Sequence, residues 1–441
     1  MKKILALLLA LTMVLAFCAC GGGSDKPADE ATDAPAVDEP TDAPADEPTD
    51  KPADEPAADD FKVGVILVHD ENSGYDMAHI EGVWAARDAL GLSDDQIIFK
   101  YNIGETEACY DTAVDLAEQG CKLIISDSFG HASYMQQAAE EYPDITFVAA
   151  TGDNAANTGL ANFKNIFTYV YESRYVSGVV AGLKLKQLLD EGTITDPYVG
   201  YVGAYPYAEV VSGYTAFFLG IRSVVPEAHM DVTYTNSWYD PVAEGEAANQ
   251  LMSRGCVIIG QHADSTGAPS AVQAAQDAGS VVYSVGYNID MLSVAPTAAL
   301  TSAQNIWGAI YTPTIEKAMK GEEIPTDFAC GYANGGVCIS TLGESCAPGT
   351  AEEVEKVWAA IADGSLKVFD TSKFVVSAEA TDGSYVLDAD GHVTSAFALD
   401  TDGDFVFDSG EAIADGAFQE SVLRSAPSFS FRIEGITELF E

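Results

Sequence analysis

The stretch VGVILVHDENSGYDMAHIEGVWAARDAL, residues 63 to 90, contains the pattern that decides the fold. An apolar run from Val63 to Val68 predicts a buried strand, a polar loop from His69 to Asp76 follows, and apolar residues at helical spacing cover Ala78 to Leu90. The same alternation continues as far as residue 301. It predicts right-handed βαβ units and an α/β architecture whose parallel sheets are covered on both faces.

The predicted strands are too numerous for one comfortable open sheet, so two lobes are expected. These strands are Val63 to Val68, Ile97 to Tyr101, Leu123 to Ser126, Ile145 to Ala149, Ile166 to Val170, Val199 to Val202, Val232 to Thr235, Val257 to Gly260, Val281 to Val285 and Ala298 to Thr301. The predicted helices include Ala78 to Leu90, Tyr110 to Gln119, Tyr134 to Tyr142, Ser173 to Leu189 and Val242 to Arg254.

Polar loops follow many of these strands, and each combines an aromatic or imidazole ring with a carboxylate, amide or hydroxyl group. In open parallel sheets the ligand lies beyond the carboxyl ends of the strands, so these loops are the expected site. Rings can stack on a planar heterocycle while Asp and Asn side chains pair with its edge. Alternatively, such rings pack against a core. The loops span 69–76, 127–130, 205–207, 236–240, 261–265 and 286–290.

The first twenty residues have the parts of a secretory signal. Lys2 and Lys3 precede an apolar segment, Ile4 to Phe17, that is too short to cross a bilayer. The segment resembles bacterial lipoprotein signals, in which the cysteine after the cut is lipidated. Residues 1–19 are therefore predicted to be a signal peptide, and Cys20 a lipid anchor on the extracytoplasmic face of the bacterial plasma membrane. A free secreted protein is the alternative.

Residues 20–60 are predicted to be a tether. From Asp25 to Asp60 the chain has fourteen acidic residues and seven prolines, so it cannot bury enough apolar surface to offset its ordering entropy. From residue 61 onward, 17 basic residues stand against 54 acidic residues. This balance argues against nucleic acid or an anionic membrane face as a partner and favours a neutral or cationic ligand.

The body contains six further cysteines. The close spacing of Cys330, Cys338 and Cys346 predicts one loop disulfide, with its pairing open. Cys121 and Cys256 each open a buried-looking strand, which is typical of free cysteines. No Cys-x-x-Cys pair occurs and the histidines are spread singly, so no metal site and no cofactor are predicted.

Several motifs occur in the order and at the spacing of a known family. They are Tyr75-Asp76 with Glu81-Gly82, Tyr142-Pro143-Asp144, Glu172 with Ser177-Gly178 and Ala181-Gly182, Trp238-Tyr239-Asp240-Pro241, and Leu300-Thr301-Ser302. On these motifs, residues 61 to 441 resemble the BMP family (basic membrane protein, PnrA-like), which comprises lipoprotein substrate-binding subunits of ABC transporters.

The resemblance implies a type I periplasmic-binding-protein fold, in which three hinge crossings join two Rossmann-like lobes. It places residues 61–170 plus 304–326 in the first lobe, and 171–303 plus 327–441, with a hairpin-rich tail, in the second. Family members bind purine nucleosides between stacked aromatic rings. This implies that Tyr75 and Trp238 stack on the ligand and that Asp76 and Asp290 make polar contacts. The further candidate ligand-binding residues are Asn72, Phe129, His262, Asp264, Tyr287 and Asn305.

Asn305 bears on the choice between base and nucleoside. It aligns with a lysine that reaches the sugar in nucleoside-binding members, and Trp307 follows it. A neutral amide gives a ribose hydroxyl a hydrogen bond that is weaker by roughly 1 to 2 kcal/mol than the one a lysine would give. The loop 261–265 also resembles a family branch suited to a free base. We therefore predict that a free base binds at least as tightly as its nucleoside.

The predicted function is that of a lipid-anchored receptor that captures a purine nucleoside or base and delivers it to an ABC permease with a cytoplasmic ATPase. No Gly-x-Ser-x-Gly, His-Glu-x-x-His or phosphate-binding Gly-Lys motif occurs in the body, so no enzymatic activity is predicted. The alternatives are a secreted nucleoside hydrolase-like enzyme and a ligand-sensing receptor that is not coupled to transport.

Acidic residues of the tail have the spacing of a Ca²⁺ loop, but Phe405 stands where such a loop needs glycine. Asp390-Gly391 and Asp402-Gly403 instead predict hairpin turns between strands at 385–387, 396–398 and 405–407. Hairpins are therefore favoured over calcium binding. The acidic residues in question are Asp400, Asp402, Asp404, Asp408 and Glu411.

Overall fold

The structure is a computed structural model that describes residues 60–377, 385–401 and 406–440. The predicted signal peptide, Cys20 and the tether up to residue 59 lie outside the described residues. None of the helices in the described ranges is both long enough and apolar enough to span a membrane.

Strands and helices alternate along the described part of the chain, as the sequence predicts. The strands are β1 Val63–Ile66, β2 Ile97–Lys100, β3 Leu123–Ser126, β4 Thr146–Ala150, β5 Phe163–Thr168, β6 Tyr198–Gly203, β7 His229–Tyr234, β8 Ile258–Gln261, β9 Tyr283–Tyr287, β10 Ala299–Asn305, β11 Asp327–Cys330, β12 Val337–Ile339, β13 Tyr385–Leu387, β14 Val393–Leu399, β15 Ser409–Glu411, β16 Ile413–Ala414, β17 Ala417–Phe418 and β18 Ile436–Leu439. The α-helices are α1 Gly74–Leu90, α2 Glu107–Glu118, α3 Ala132–Glu141, α4 Ala155–Thr158, α5 Val170–Asp190, α6 Ala208–Arg222, α7 Pro241–Ser253, α8 Gly267–Asp277, α9 Gly308–Lys320 and α10 Thr350–Ala362. Short 3₁₀ turns cover Asp94–Gln96, Phe129–His131, Met291–Ser293, Tyr332–Asn334 and Thr371–Lys373.

Two sheets form the frameworks of two lobes. The first sheet has the strand order β11-β5-β4-β3-β1-β2, and the second has β12-β10-β9-β8-β6-β7-β18. All pairs in the first sheet are parallel, and in the second sheet β12 runs antiparallel to β10. Parallel pairing places the carboxyl ends of the strands at one edge of each sheet, where ligands are expected.

The chain passes between the two sheets three times. It leaves the first sheet after β5, returns to it after β10 and leaves it again between β11 and β12. The predicted α/β fold, with two Rossmann-like lobes and three hinge crossings, is confirmed. The sequence placed residues from 327 onward in the second lobe, but Asp327–Cys330 pairs with β5 at the edge of the first sheet. The third crossing therefore lies after Cys330.

Buried apolar side chains cover both faces of the first sheet. In β3, for example, Leu123 and Ile125 belong to one core cluster and Ile124 to another. Consecutive residues of a strand point to opposite faces, so a strand buried on both sides needs an unbroken apolar run. This explains why the sequence predicted these strands well.

The cysteines of the described residues are all free. Cys121 and Cys256 are buried, as predicted. The predicted loop disulfide is wrong, because Cys330 packs in the first-lobe core, whereas Cys338 lies beyond the third crossing, on β12. The thiol of Cys338 faces the Gln304 side chain, and that of Cys346 contacts the Leu300 carbonyl oxygen.

The C-terminal segment, which we define as residues 370–440, is anchored to the second lobe. Strand β18 pairs with β7 in parallel and extends the second sheet. Phe374, Phe429 and Phe431 join the second-lobe core. The segment therefore completes the second lobe instead of forming a separate body.

One predicted hairpin of this segment is confirmed, because β13 pairs antiparallel with β14. The second predicted turn, Asp402-Gly403, lies outside the described residues, and β15 is the strand that pairs with β14 there. Glu411 accepts hydrogen bonds from the Ser395 hydroxyl and from the backbone N–H groups of Ala396 and Ile413. Its carboxylate thus stabilises the sheet.

Helices α5 and α6 pack unusually closely in the second lobe. A Cβ atom added to Gly178 would lie 2.0 Å from the Phe217 carbonyl oxygen, and one added to Gly220 would lie 2.1 Å from that of Tyr175. Only the absence of side chains at these two positions lets the helix backbones meet.

We expect Gly178→Ala to lower the free energy of unfolding by ~1 to 3 kcal/mol, because the methyl group would force α5 and α6 apart. The better helix propensity of alanine, about 1 kcal/mol, offsets only part of this cost. Urea unfolding curves measure the difference. Gly104→Ala is the control: Gly104 is exposed, and an added Cβ would meet no atom closer than 3.9 Å. Unchanged stability of Gly178→Ala would contradict the close packing.

Candidate ligand-binding site

A small cavity lies between the lobes, at the carboxyl edges of the two sheets. Its volume is about 20 Å³, roughly the space for one water molecule. The lobes touch beside it, because the Gly74 N–H donates to the Asp264 carbonyl oxygen at 2.9 Å. The lining residues are Val68, Tyr75, Asp127, Ser128, Phe129 and Thr151 from the first lobe and Glu209, Trp238, His262, Asp264 and Tyr287 from the second.

Tyr75 is positioned by the first turn of α1, whose N-cap is Ser73. Its hydroxyl donates to the Asp127 carbonyl oxygen at 2.8 Å and lies 3.0 Å from the Thr151 hydroxyl. The ring is only 7% exposed. Its orientation is therefore set by the first lobe itself.

The second lobe contributes two further rings. The Trp238 ring contacts those of Tyr205 and Tyr207, with centroids 5.0 and 6.1 Å apart. The guanidinium group of Arg174 lies 3.6 Å from the centroid of the Tyr287 ring, which holds that ring by a cation–π contact. Aromatic side chains thus border the cavity from both lobes.

Thr151 has a strained backbone. Its φ angle is 65°, a left-handed conformation that a β-branched residue rarely adopts and that costs roughly 1 to 3 kcal/mol. Such strain is concentrated at ligand sites in proteins. It directs the Thr151 hydroxyl toward Tyr75.

Asp76 and Asp127 form a buried pair of carboxyl groups. Burial acts to raise the pKa of Asp76, but hydrogen bonds from His69 and Ser73 outweigh it and hold the pKa below its ordinary value. Burial, together with the charge of Asp76, raises the pKa of Asp127 well above its ordinary value. Like charges at short range oppose each other's ionisation in a desolvated site, so Asp127 resists ionisation.

Arg174, a buried cation from α5, underlies the second-lobe half of the site. Its Nη1 donates to the Gln261 carbonyl oxygen at 2.6 Å. Within the described ranges, Nε and Nη2 have no hydrogen-bond partner. The charge is held against the Tyr287 ring and close to two acidic groups, Glu209 and Asp264.

The acidic groups around Arg174 resist ionisation. Burial raises the pKa of Glu209 to about 7, although Arg174 acts in the opposite direction. Burial and the neighbouring Asp76 charge raise the pKa of Asp264 well above its ordinary value. Burial and then Arg174 lower the pKa of His262 well below its ordinary value, so its ring is neutral. The site therefore offers largely uncharged donors and acceptors.

Six of the predicted ligand-binding residues line the cavity, and they come from both lobes. They are Tyr75, Phe129, Trp238, His262, Asp264 and Tyr287.

Three other predicted residues lie away from the cavity. Asn72 is exposed, and its amide donates to the Asp70 carboxylate at 2.7 Å. Asp76 Oδ1 accepts from the His69 backbone N–H at 2.7 Å. Asp290 caps a 3₁₀ turn by accepting from the Leu292 N–H at 2.9 Å. Because these polar atoms stabilise local structure, their positions do not support the predicted ligand contacts.

Asn305 also lies outside the cavity. Its amide donates to the Tyr287 hydroxyl at 3.1 Å and to the Asn288 side-chain oxygen at 2.8 Å, and its own oxygen accepts from the Thr168 hydroxyl. Trp307 stacks on His79 in the first-lobe core, with centroids 3.9 Å apart. Neither side chain is among the residues that border the cavity, and the preference for the free base stays a prediction.

The sequence prediction omitted Thr151, Arg174 and Glu209, and it included Asp127 only as part of the loop 127–130. Asp127 and Thr151 directly follow strands β3 and β4, so their position was a usable signal. Arg174 and Glu209 lie inside helices, where a charged residue is normally exposed. As for metals, among the described residues a close cluster of possible ligands occurs at Asp388, Asp390 and His392 in the C-terminal segment, away from the cavity.

Comparisons with known proteins identify the family and the fold. Residues 64–369 match the family of PnrA-like ABC transporter substrate-binding proteins. The chain is 33% identical over 266 residues to a purine-binding protein of Brucella abortus, an alignment that covers 60% of this chain and 71% of the relative. It is 32% identical over 302 residues to a protein of Haloferax volcanii named as an ABC transporter glucose-binding protein, with 68% and 72% covered.

A solved ABC transporter solute-binding protein from Aeropyrum pernix has the same fold. Its TM-score is 0.59 at 17% sequence identity, and the superposition covers 70% of this chain and 93% of that one. At this identity the likeness concerns the fold alone.

The buried Glu209 makes a testable contribution to pH dependence. Its pKa is about 7 in the folded protein, against an ordinary value of 4.5, so the folded state binds the extra proton. The stabilisation that this proton gives the folded state is complete below pH ~4.5 and is lost as the pH rises through about 7. The free energy of unfolding of the wild type should fall between pH 5 and pH 8. That of Glu209→Gln, which cannot ionise, should fall by ~1 to 3 kcal/mol less over the same range.

Urea unfolding at a series of pH values measures this difference in slope. Glu322→Gln, a change at an exposed position, is the control and should follow the wild-type profile. Parallel profiles for Glu209→Gln and the wild type would show that Glu209 does not take up a proton on folding.

Proposed function

Because the chain belongs to the PnrA-like family of ABC transporter substrate-binding proteins, we propose that it binds a purine nucleoside or purine base between its lobes and delivers it to a permease. The observation that carries the proposal is the composition of the interlobe cavity. Aromatic rings from both lobes meet buried carboxyl and imidazole groups there.

Stacking is the first element of recognition in this proposal. Tyr75 and Phe129 extend from the first lobe, and Trp238 and Tyr287 from the second. A planar heterocycle held between such rings gains both buried area and stacking energy, about 1 to 3 kcal/mol per contacting ring. Closure of the lobes brings the two sets of rings onto one ligand.

Edge recognition is the second element. A purine edge presents N–H donors beside nitrogen or carbonyl acceptors, and it carries no net charge. Asp264 and Glu209 lie beside the neutral His262, and a carboxyl group donates when protonated and accepts when ionised. Partners whose ionisation is opposed by burial match a neutral base better than an anion.

Ligand entry requires the lobes to separate. The cavity of about 20 Å³ is far smaller than a purine, and the contact between Gly74 and Asp264 closes one side of it. Hinge motion at the three crossings is the ordinary way in which such two-lobed receptors admit a ligand. The described conformation is thus closed.

The sequence features outside the described residues complete the proposal. Cys20 would carry the lipid that holds the receptor at the outer face of the plasma membrane, and the acidic tether would separate the domain from the lipid. The family functions outside the cytoplasm with permease and ATPase subunits as partners. We propose no catalytic role.

A sugar is the competing ligand, because one relative is named as glucose-binding and pyranose rings also pack on aromatic side chains. Calorimetry of the purified chain against adenine, guanine, hypoxanthine, their nucleosides, cytidine, uracil and glucose separates the two classes. We expect at least one purine to bind with a Kd of roughly 1 μM or tighter. Glucose and the pyrimidines should bind at least a hundredfold more weakly. Tight glucose binding without purine binding would overturn the proposal, and release of free base from a nucleoside would favour the hydrolase alternative.

Trp238 tests the stacking contact. We expect Trp238→Ala to weaken binding of the best purine by ~1 to 3 kcal/mol, because one stacking surface is lost. Thermal stability should change little, since the ring is only partly buried. Trp84→Ala is the matched control, because Trp84 is partly buried on the first lobe beside Arg87 and away from the cavity. If Trp238→Ala instead loses ~3 to 5 kcal/mol of stability and keeps its affinity, the ring serves core packing.

A further inference from the structure

A second and larger cavity lies beside the first. We name it the tail compartment because the C-terminal segment forms one side of it. Its volume is about 440 Å³, enough for a group much larger than a water molecule. Its lining includes Asp153, Tyr207 and Ala208, together with Phe407 and Arg424 of the C-terminal segment.

The tail compartment adjoins the interlobe cavity directly. Phe129, Thr151 and Glu209 line both spaces. The rings of Phe129 and Tyr207, one from each lobe, meet at this boundary with centroids 5.7 Å apart. A ligand longer than a single ring system, held in the first cavity, would extend past these residues into the second.

The side formed by the C-terminal segment is firmly held. Phe429 stacks on Phe369 with centroids 4.3 Å apart in the second-lobe core. Toward the first lobe, the N–H and the hydroxyl of Ser425 both donate to Asp327 at 2.9 Å. The match to the family ends at residue 369, so this side of the compartment lies outside the region that the family model covers.

Arg424 supplies the most informative polar group of the compartment. It is only 5% exposed. Its Nη1 lies 3.2 Å from the Asp153 carboxylate, and its Nη2 donates to the Pro427 carbonyl oxygen at 2.8 Å. Its Nε finds no hydrogen-bond partner within the described ranges. A buried donor without an acceptor destabilises the protein, and a ligand oxygen would satisfy it.

The charge around Arg424 favours an uncharged group. Asp153 pairs with the guanidinium group, and Asp327 and Glu420 lie close enough to interact with it. One positive charge is therefore shared among several acids, and a further anion would gain little. The remaining surface is largely apolar, with Phe407 4.5 Å from the guanidinium carbon.

We propose that the tail compartment is a second part of the binding site, which takes an uncharged, oxygen-bearing substituent of the purine ligand, with Arg424 Nε as the donor. The proposal rests on the proposed function and adds to it a selectivity for substituted purines over the free base. It is opposite to the preference for the free base that was predicted from Asn305 and Trp307.

Calorimetry with four probes tests the proposal: adenine, 9-ethyladenine, adenosine and adenosine monophosphate. Adenosine should bind at least tenfold more tightly than adenine. 9-Ethyladenine, which lacks the oxygens, should gain less, and the charged monophosphate should bind more weakly than adenosine. Equal affinities for adenine and adenosine, or tighter binding of the monophosphate, would overturn the proposal.

Substitutions test whether the selectivity for adenosine over adenine arises in the tail compartment. Ala208→Leu places bulk in the tail compartment, and Ala208 does not line the first cavity. We expect it to reduce the adenosine-to-adenine affinity ratio at least fivefold, and Arg424→Gln to reduce the same ratio. Ala351→Leu, at an exposed position of α10, should leave the ratio unchanged, and thermal unfolding checks that each variant is folded.

The outcomes separate the two proposals. If adenine and adenosine both bind but Ala208→Leu weakens them by the same factor, the tail compartment is not part of the site and the purine function stands. If neither purine binds the wild type, the proposed function fails and the compartment proposal fails with it.

Discussion

Parallel pairing of strands is the constraint on which the binding site depends. Each parallel strand needs a helical crossover to return the chain, so strands of one sheet end at the same edge. The loops after β1, β3 and β4 therefore meet in the first lobe, and loops after strands of the second sheet meet opposite them. Segments as distant in sequence as Tyr75 and Tyr287 share one cavity for this reason. The three crossings then hold the two edges face to face.

Charge shapes the site in an unexpected way. The chain has a formal net charge of −47, yet the carboxyl groups of the cavity resist ionisation because burial removes their hydration. Arg174 offsets only part of this effect for Glu209. The surface of the protein is strongly acidic, whereas the interlobe cavity presents hydrogen-bonding groups with little net charge. Recognition there depends on the placement of protons as much as on the placement of atoms.

The sequence predicted the regular parts of the fold because burial on both faces leaves a strong signal. Leu123–Ser126 was predicted with its observed bounds, since a strand buried on both sides must be apolar throughout. Two edge strands, β11 and β18, were missed because acidic residues interrupt their apolar runs. Asp327 and Glu438 are nevertheless hydrogen-bonded within the fold. The predicted disulfide failed because spacing along the chain says nothing about a crossing between lobes.

For the site, the position of a residue after a strand showed where it would lie. The sequence did not show what the residue would do there. Phe129, Trp238 and His262 were found because they follow strands, but Asp76 and Asp290 follow strands as well and serve helix caps or buried pairs. Sequence alone cannot distinguish a polar group used for local structure from one that faces a ligand. Arg174 shows the opposite difficulty, because an arginine within a helix is ordinarily solvated and gives no sign of burial.

The pairing of β18 with β7 also bears on how the chain folds. Contacts between residues far apart in sequence form slowly, because the chain entropy lost in closing the loop is not repaid until the strands meet. The first sheet takes five of its six strands from one continuous stretch, β1 to β5. The second sheet, in contrast, remains one strand short until β18 pairs with β7. We therefore expect the second lobe to mature after the first, because its sheet needs the longer loop to close.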